Sequence, residues 1–123
     1  MYGIFVNDDG PVKFAEEIVA ARKPVETRTR NMLRLLVGKR VAVVQTGRGK
    51  VPTIIGHVTI MDNQRKSGSW LDENRDKTLI IKGSKYDNGG AAKWCYFLKD
   101  AERCDPFQLP ADAVRHGRSW CEF

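Results

Sequence analysis

Three charged side chains fall close together in the segment ARKPVETRTR, residues 21–30: Lys23, Glu26 and Arg28. Residues 25–30 alternate strictly, which is the pattern of a strand. Glu26, Arg28 and Arg30 then share one side, and Val25, Thr27 and Thr29 share the other. Side chains two apart on a strand lie about 7 Å from each other, so Glu26 and Arg28 can bond or hold one ligand between them. Lys23 precedes Pro24 in a turn and can approach both. Lys23 and Arg28 can hold a phosphate, while Glu26 can accept from an amino group of a base or activate a water. The same residues also read as a Glu–Arg pair that does no more than fix a strand, worth little if exposed.

The charge pattern supports a site for anions. The net charge is +6, and it is unevenly spread. Residues 1–21 carry −3, residues 22–50 carry +8 and residues 51–123 carry +1. The basic stretch holds nine Lys or Arg residues against Glu26 alone, Arg30, Arg48 and Lys50 among them. Clustered cations gain from releasing the counterions that phosphates condense, so RNA or a nucleotide is the partner this charge fits. A solvated basic face is the plainer reading. A membrane surface fits poorly, because no basic helix with a large apolar face is present.

Other candidates are weaker. Gly47-Arg48-Gly49-Lys50 is a basic turn without the spacing or the Ser/Thr of a phosphate-binding Walker loop. Trp70, Tyr86, Trp94 and Tyr96 can stack a base. Strand alternation puts either Trp94 and Tyr96, or Cys95 and Phe97, inside the fold. Trp70 lies in a polar connection and suits a lid over the cleft. His57 reads as a strand residue of the core or its lip, and His116, in the turn RHGR, as exposed. The three cysteines, Cys95, Cys104 and Cys121, are odd in number and form no Cys-x-x-Cys pair, which favours reduced thiols. No metal or cofactor is expected.

The elements that position these residues follow from periodicity. Residues 3–6 form a strand, and apolar residues at three- and four-residue steps mark a helix over about 11–22, stopped by Pro24. Asn31 caps a short apolar turn that ends at Gly38. Residues 41–46 are continuously apolar, as a strand covered on both faces. Residues 53–61 form another strand, in which Gly56 predicts a bulge or bend. A long polar connection covers 62–77, with one helical turn near 72–75. Short strands follow at 78–82, 93–98 and 119–123, with a glycine-rich loop at 83–92 and an irregular segment bracketed by Pro106 and Pro110. The result is one domain over 1–123, of α+β class but mainly β: a small, strongly bent sheet or barrel with one N-terminal helix and short helical turns. Alternating βα units are excluded by the low helix content. No run of 18 apolar residues and no secretory leader is visible, so the expected location is the cytoplasm.

On these residues the chain resembles the ASCH family of the PUA-like β-barrel superfamily. The family signature is Gly-x-Lys-x-x-Glu-x-Arg after the first helix. Here Lys23, Glu26 and Arg28 match it, and Ala21 stands for the leading Gly. GKRVAVVQTG (38–47), the strand TIIGHVTI (53–60), the aromatic strand 94–98, Pro106, and the closing Gly117 and Trp120 also resemble the family, so the likeness spans nearly the whole chain. It implies a PUA-like barrel whose cleft is lined by Lys23, Glu26 and Arg28 and which binds RNA or modified nucleosides. Some small members resemble amidohydrolases of N4-acetylcytidine, which use a Lys, a Thr three residues later and a distant Glu. In this chain Glu26 occupies that Thr position. Other members are proposed to cleave RNA. The expected ligand-binding residues are therefore Lys23, Glu26, Arg28, Arg30, Arg48, Lys50 and Trp70. Lys23 and Glu26 would be catalytic if the protein is a hydrolase. Binding, hydrolysis and a protein-interaction role remain open at this level.

Overall fold

The computed structural model describes residues 1–123. Seven strands and three short helices follow in order: β1 (Tyr2–Asn7), α1 (Phe14–Val19), β2 (Val25–Arg28), β3 (Arg40–Thr46), β4 (Thr53–Lys66), α2 (Gly68–Glu73), α3 (Arg75–Thr78), β5 (Lys93–Gln108), β6 (Val114–His116) and β7 (Trp120–Glu122). A 3-10 turn, Arg34–Leu36, precedes β3. All seven strands join one mixed sheet in the order β2-β5-β4-β3-β1-β7-β6. The mainly β reading of the sequence holds. No helix is long and apolar enough to cross a membrane.

The expected barrel is not closed by strand pairing. Its ends are β2 and β6, and neither meets the other. Closure would need β2 to pair with β6, and β2 pairs only with β5 while β6 pairs only with β7. A side chain ties the end strand β2 to β1: an Nη of Arg28 donates to the Phe5 carbonyl at 2.7 Å.

The sheet buries apolar residues on both faces. Ile4, Val6, Val41 and Val43 face Phe14, Ala15, Ile18 and Val19 of α1 in the main core. The alternate residues Phe5, Ala42 and Val44 join Ile54, Leu109 and Cys121 in a second core. This explains why 41–44 is continuously apolar: each parity has its own core, and the strand ends in the polar, half-buried Gln45 and Thr46. Gly56 sits at a register shift between β4 and β5, as its place in the strand predicts. It also permits a close approach, since a Cβ there would lie 2.3 Å from the Glu102 carbonyl and 2.6 Å from Val19.

Several boundaries differ from expectation. α1 is shorter than 11–22 because Asp8, fully buried, accepts from the Ala15 amide at 2.7 Å and so starts the helix late. Ala21, with φ of 62°, ends the turn after it. Asn31 caps nothing; its Oδ1 accepts from the Tyr96 hydroxyl at 2.9 Å and from Asn63 at 2.8 Å. The polar connection begins as strand, with β4 running to Lys66 against β5, and continues as α2 and α3. Residues 78–82 are not a strand. Thr78 ends α3, Leu79 is left-handed and the Ile80 carbonyl accepts from Arg75 at 3.0 Å, so no ladder forms. Pro106 lies within β5 rather than in an irregular loop. The segment pairs only with β4, and a register break spans that position, so the missing N–H breaks no ladder bond. The turn RHGR contributes a strand, β6, that the sequence reading missed.

Candidate functional site

A cavity of about 750 Å³ opens where β1, α1, β2, the β3–β4 turn and the β6–β7 turn meet. Lys23, Glu26, Arg28 and Lys50 line it. Arg30, Arg48 and Trp70 do not. Trp70 stands on α2, edge-on to Phe97 at 6.1 Å with the Lys66 ammonium 5.1 Å above its ring. Lys93, Arg115 and Arg118 line the cavity as well, although the charge reading had passed over them. Six cationic side chains therefore surround one carboxylate.

The strand alternation of 25–28 is real, yet both parities reach the cavity: Thr27 and Thr29 line it with Glu26 and Arg28. β2 is an end strand that pairs only with β5, and its unpaired edge borders the opening. Tyr86 is the one lining residue among the four aromatic side chains considered for stacking. Tyr96 instead lies in the core, its hydroxyl accepting from the Leu33 amide at 3.2 Å. His57 pairs within β4 opposite Ala42 and Glu102. His116 stacks on Trp120 at 3.8 Å and meets Glu122 at 2.8 Å, away from the cavity.

The three signature groups converge. Glu26 Oε1 accepts from the Thr27 amide at 3.0 Å and lies 3.7 Å from Lys23 Nζ. Its Oε2 meets an Arg28 Nη at 3.3 Å. Burial pushes the Glu26 carboxyl up, but Lys23, Arg28 and the Thr27 amide outweigh it and hold the group below the usual carboxylate range. Lys23, 2% exposed, donates to the carbonyls of Val25, at 2.9 Å, and of Thr78. Burial lowers its pKa, and Glu26 opposes that shift. Two donors of the ammonium thus go to carbonyls, and the Glu26 carboxylate stands beside it at ion-pair distance. Lys93 is also buried, and burial lowers its pKa against the pull of Glu26. Lys93 opens the aromatic strand, and its position as the lone cation at the head of an apolar run was the signal available for it. No cluster of three or more His, Cys, Asp or Glu side chains is placed to hold a metal ion.

No family model matches the sequence, and no curated protein matches it. Solved structures do match the fold. A Tyr-to-Phe variant of ASCH from Zymomonas mobilis superposes with a TM-score of 0.70 at 21% identity, covering 88% of this chain and 75% of that one. This chain has the ASCH fold. The unsubstituted ASCH protein of the same organism gives 0.68 at 19% identity, over 88% of this chain and 73% of that one. Its Ser-to-Ala variant gives 0.68 at 22%, over 87% and 74%. In this ASCH fold the Lys23, Glu26 and Arg28 groups meet at the wall of the principal cavity.

Proposed function

We propose that this protein binds RNA or a nucleotide in the cavity walled by Lys23, Glu26 and Arg28. The observation that carries the reading is the lining itself, six cations around one carboxylate in a space of nucleotide size. An anion entering it gains Coulomb energy from several sides in a partly desolvated setting. Lys50, Arg115 and Arg118 come from turns and short strands near the opening and suit phosphates. Glu26, held ionised, retains acceptor capacity and suits an amino group of a base.

Hydrolysis at the same cleft would need an amine free to take a proton. The Lys23 ammonium is committed to Val25, Thr78 and Glu26, which weighs for binding over that role. The resemblance of the fold to ASCH proteins is compatible with either. Fluorescence anisotropy of a labelled single-stranded RNA tests the reading. Binding should weaken steeply with added salt, and Lys50→Ala and Arg118→Ala should each weaken it. Absence of binding to RNA and to mononucleotides, or binding indifferent to salt, would overturn it.

A further inference from the structure

Two lysines are buried at the cavity wall, and their ammonium groups differ in what they meet. Lys23 donates to two carbonyls and is ion-paired with Glu26 at 3.7 Å. Lys93 is 7% exposed, yet its Nζ donates to a single group, the main-chain carbonyl of Tyr86 at 2.7 Å. An ammonium carries three donors, so two of them have no acceptor within the protein. Donors at the wall of an open cavity bond to water there, and the oxygen atoms of a ligand can take that water's place.

The surroundings show where that ligand would come from. Lys93 borders both the main cavity and a small recess between α2–α3 and the loop 83–92. Its carbonyl partner, Tyr86, carries a buried hydroxyl with no hydrogen-bond partner of its own. Lys93 and Tyr86, each with an unfilled polar group, are both lining residues of the cation-rich cavity. Glu26 and Arg28 are the nearby charges on β2, and Asp87 is the acid from the loop side, itself taken up by Arg75 and the Gly83 amide.

We infer that Lys93 is a further ligand-facing cation of this cavity, beside Lys50, Arg115 and Arg118, and that its two free donors bind phosphoryl oxygen atoms of the ligand. Lys23 is then a positioning residue. It ties the end of α3 to β2 through the Thr78 and Val25 carbonyls and aims the Glu26 carboxylate. The inference rests on the reading of the cavity as a nucleotide site.

Two measurements test it and separate its failure from failure of that reading. The first compares RNA binding and melting temperature in Lys93→Met, Lys93→Arg and Lys23→Met. Lys93→Met should lose about ten- to hundredfold in affinity, the scale of hydrogen bonds to a charged group. Lys93→Arg should keep most of the affinity, and Lys23→Met should chiefly lower the melting temperature. RNA binding by Lys93→Met equal to wild type would overturn the inference and leave the cavity reading in place. The second measurement uses the unaltered protein. Trace acetylation by acetic anhydride, in which the amine forms an amide and acetate leaves, is followed at each lysine by mass spectrometry. Lys93 should be acetylated and inorganic phosphate should protect it, whereas Lys23 should stay unreactive throughout. If the protein binds no RNA or nucleotide but phosphate still protects Lys93, the cavity reading falls and the anion site at Lys93 stands. Lack of protection by phosphate would overturn the site at Lys93 whether or not RNA binds.

Discussion

Ala21 occupies the position where the signature Gly-x-Lys-x-x-Glu-x-Arg has glycine, and its φ is 62°. The chain must turn sharply there. The amides of Arg22 and Lys23 both reach back to the Glu17 carbonyl, which brings Lys23 beneath the cavity. A left-handed conformation costs an L-residue with a Cβ about 1–2 kcal/mol, and glycine avoids that cost. Ala21→Gly should therefore raise stability by about 1 kcal/mol, less the added freedom of the unfolded chain, without altering RNA binding. Chemical denaturation measures it, and a loss of stability would contradict the account of this turn. Glu26 offers a second test. Its carboxyl is held below its ordinary value in the fold, so its contribution to stability is complete above the unfolded value of about 4.3 and is lost as pH falls through the folded value. Glu26→Gln leaves the buried Lys23 and the half-buried Arg28 without their counter-charge and should cost about 3 kcal/mol at neutral pH. The gap between wild type and variant should narrow on acidification below the carboxylate range, because the wild-type group then becomes neutral too. Urea melts across pH follow both, and a gap that stays constant into strong acid would contradict the ionised pair.

At the scale of elements, β4 and β5 set the geometry. They pair over nearly their whole lengths, with register breaks near Gly56, His57 and Ile60 that bend the ladder. At Gly56 the ladder lies directly against Val19 of α1. A Cβ placed there would overlap the Glu102 carbonyl and Val19, and the backbone carbonyl has no room to retreat within a paired strand. Gly56→Ala should therefore cost about 1–3 kcal/mol, the range for overpacked sites. It should also weaken RNA binding, because α1 carries Phe14 into the cavity wall and leads directly to Lys23. Thermal melts and anisotropy check the two effects together. Unchanged stability would mean that α1 can shift away from the sheet without consequence. The helices α2 and α3 act differently, since their hold on β2 runs through one ammonium, with Lys23 donating to the last carbonyl of α3.

Across the whole molecule, folding collects Lys23, Arg28 and Lys50 of the basic segment 22–50 and the distant residues Lys93, Arg115 and Arg118 around one opening. Each phosphate held there releases condensed counterions. For single-stranded RNA the logarithm of affinity should fall with the logarithm of salt concentration at a slope of about −0.7 per phosphate contacted. Lys50→Ala should make that slope shallower by about one contact, while Arg48→Ala, outside the cavity lining, should change it less. Equal slopes for the two variants would mean that the outer basic face, not the cavity, carries the interaction.

Local pattern was enough to read the mainly β class, the strand at 41–46 with its apolar residues 41–44, the bulge at Gly56 and the grouping of Lys23, Glu26 and Arg28. Each of these depends on residues within a few positions of one another, where side-chain parity and backbone sterics act directly. The continuation of β4 through Asp62–Lys66 and of β5 through Pro106 was not legible, because those stretches are polar or proline-bearing and become strands only by pairing with each other. The same holds for the site. Strand parity put Glu26 and Arg28 together, but it could not show that the cavity meets the free edge of β2, that Thr78, 55 residues away, accepts from Lys23, or that Lys93 stands at the same wall with donors unfilled. Contacts between residues far apart in the chain depend on which strands become neighbours, and that is settled when the two cores close on either side of the sheet.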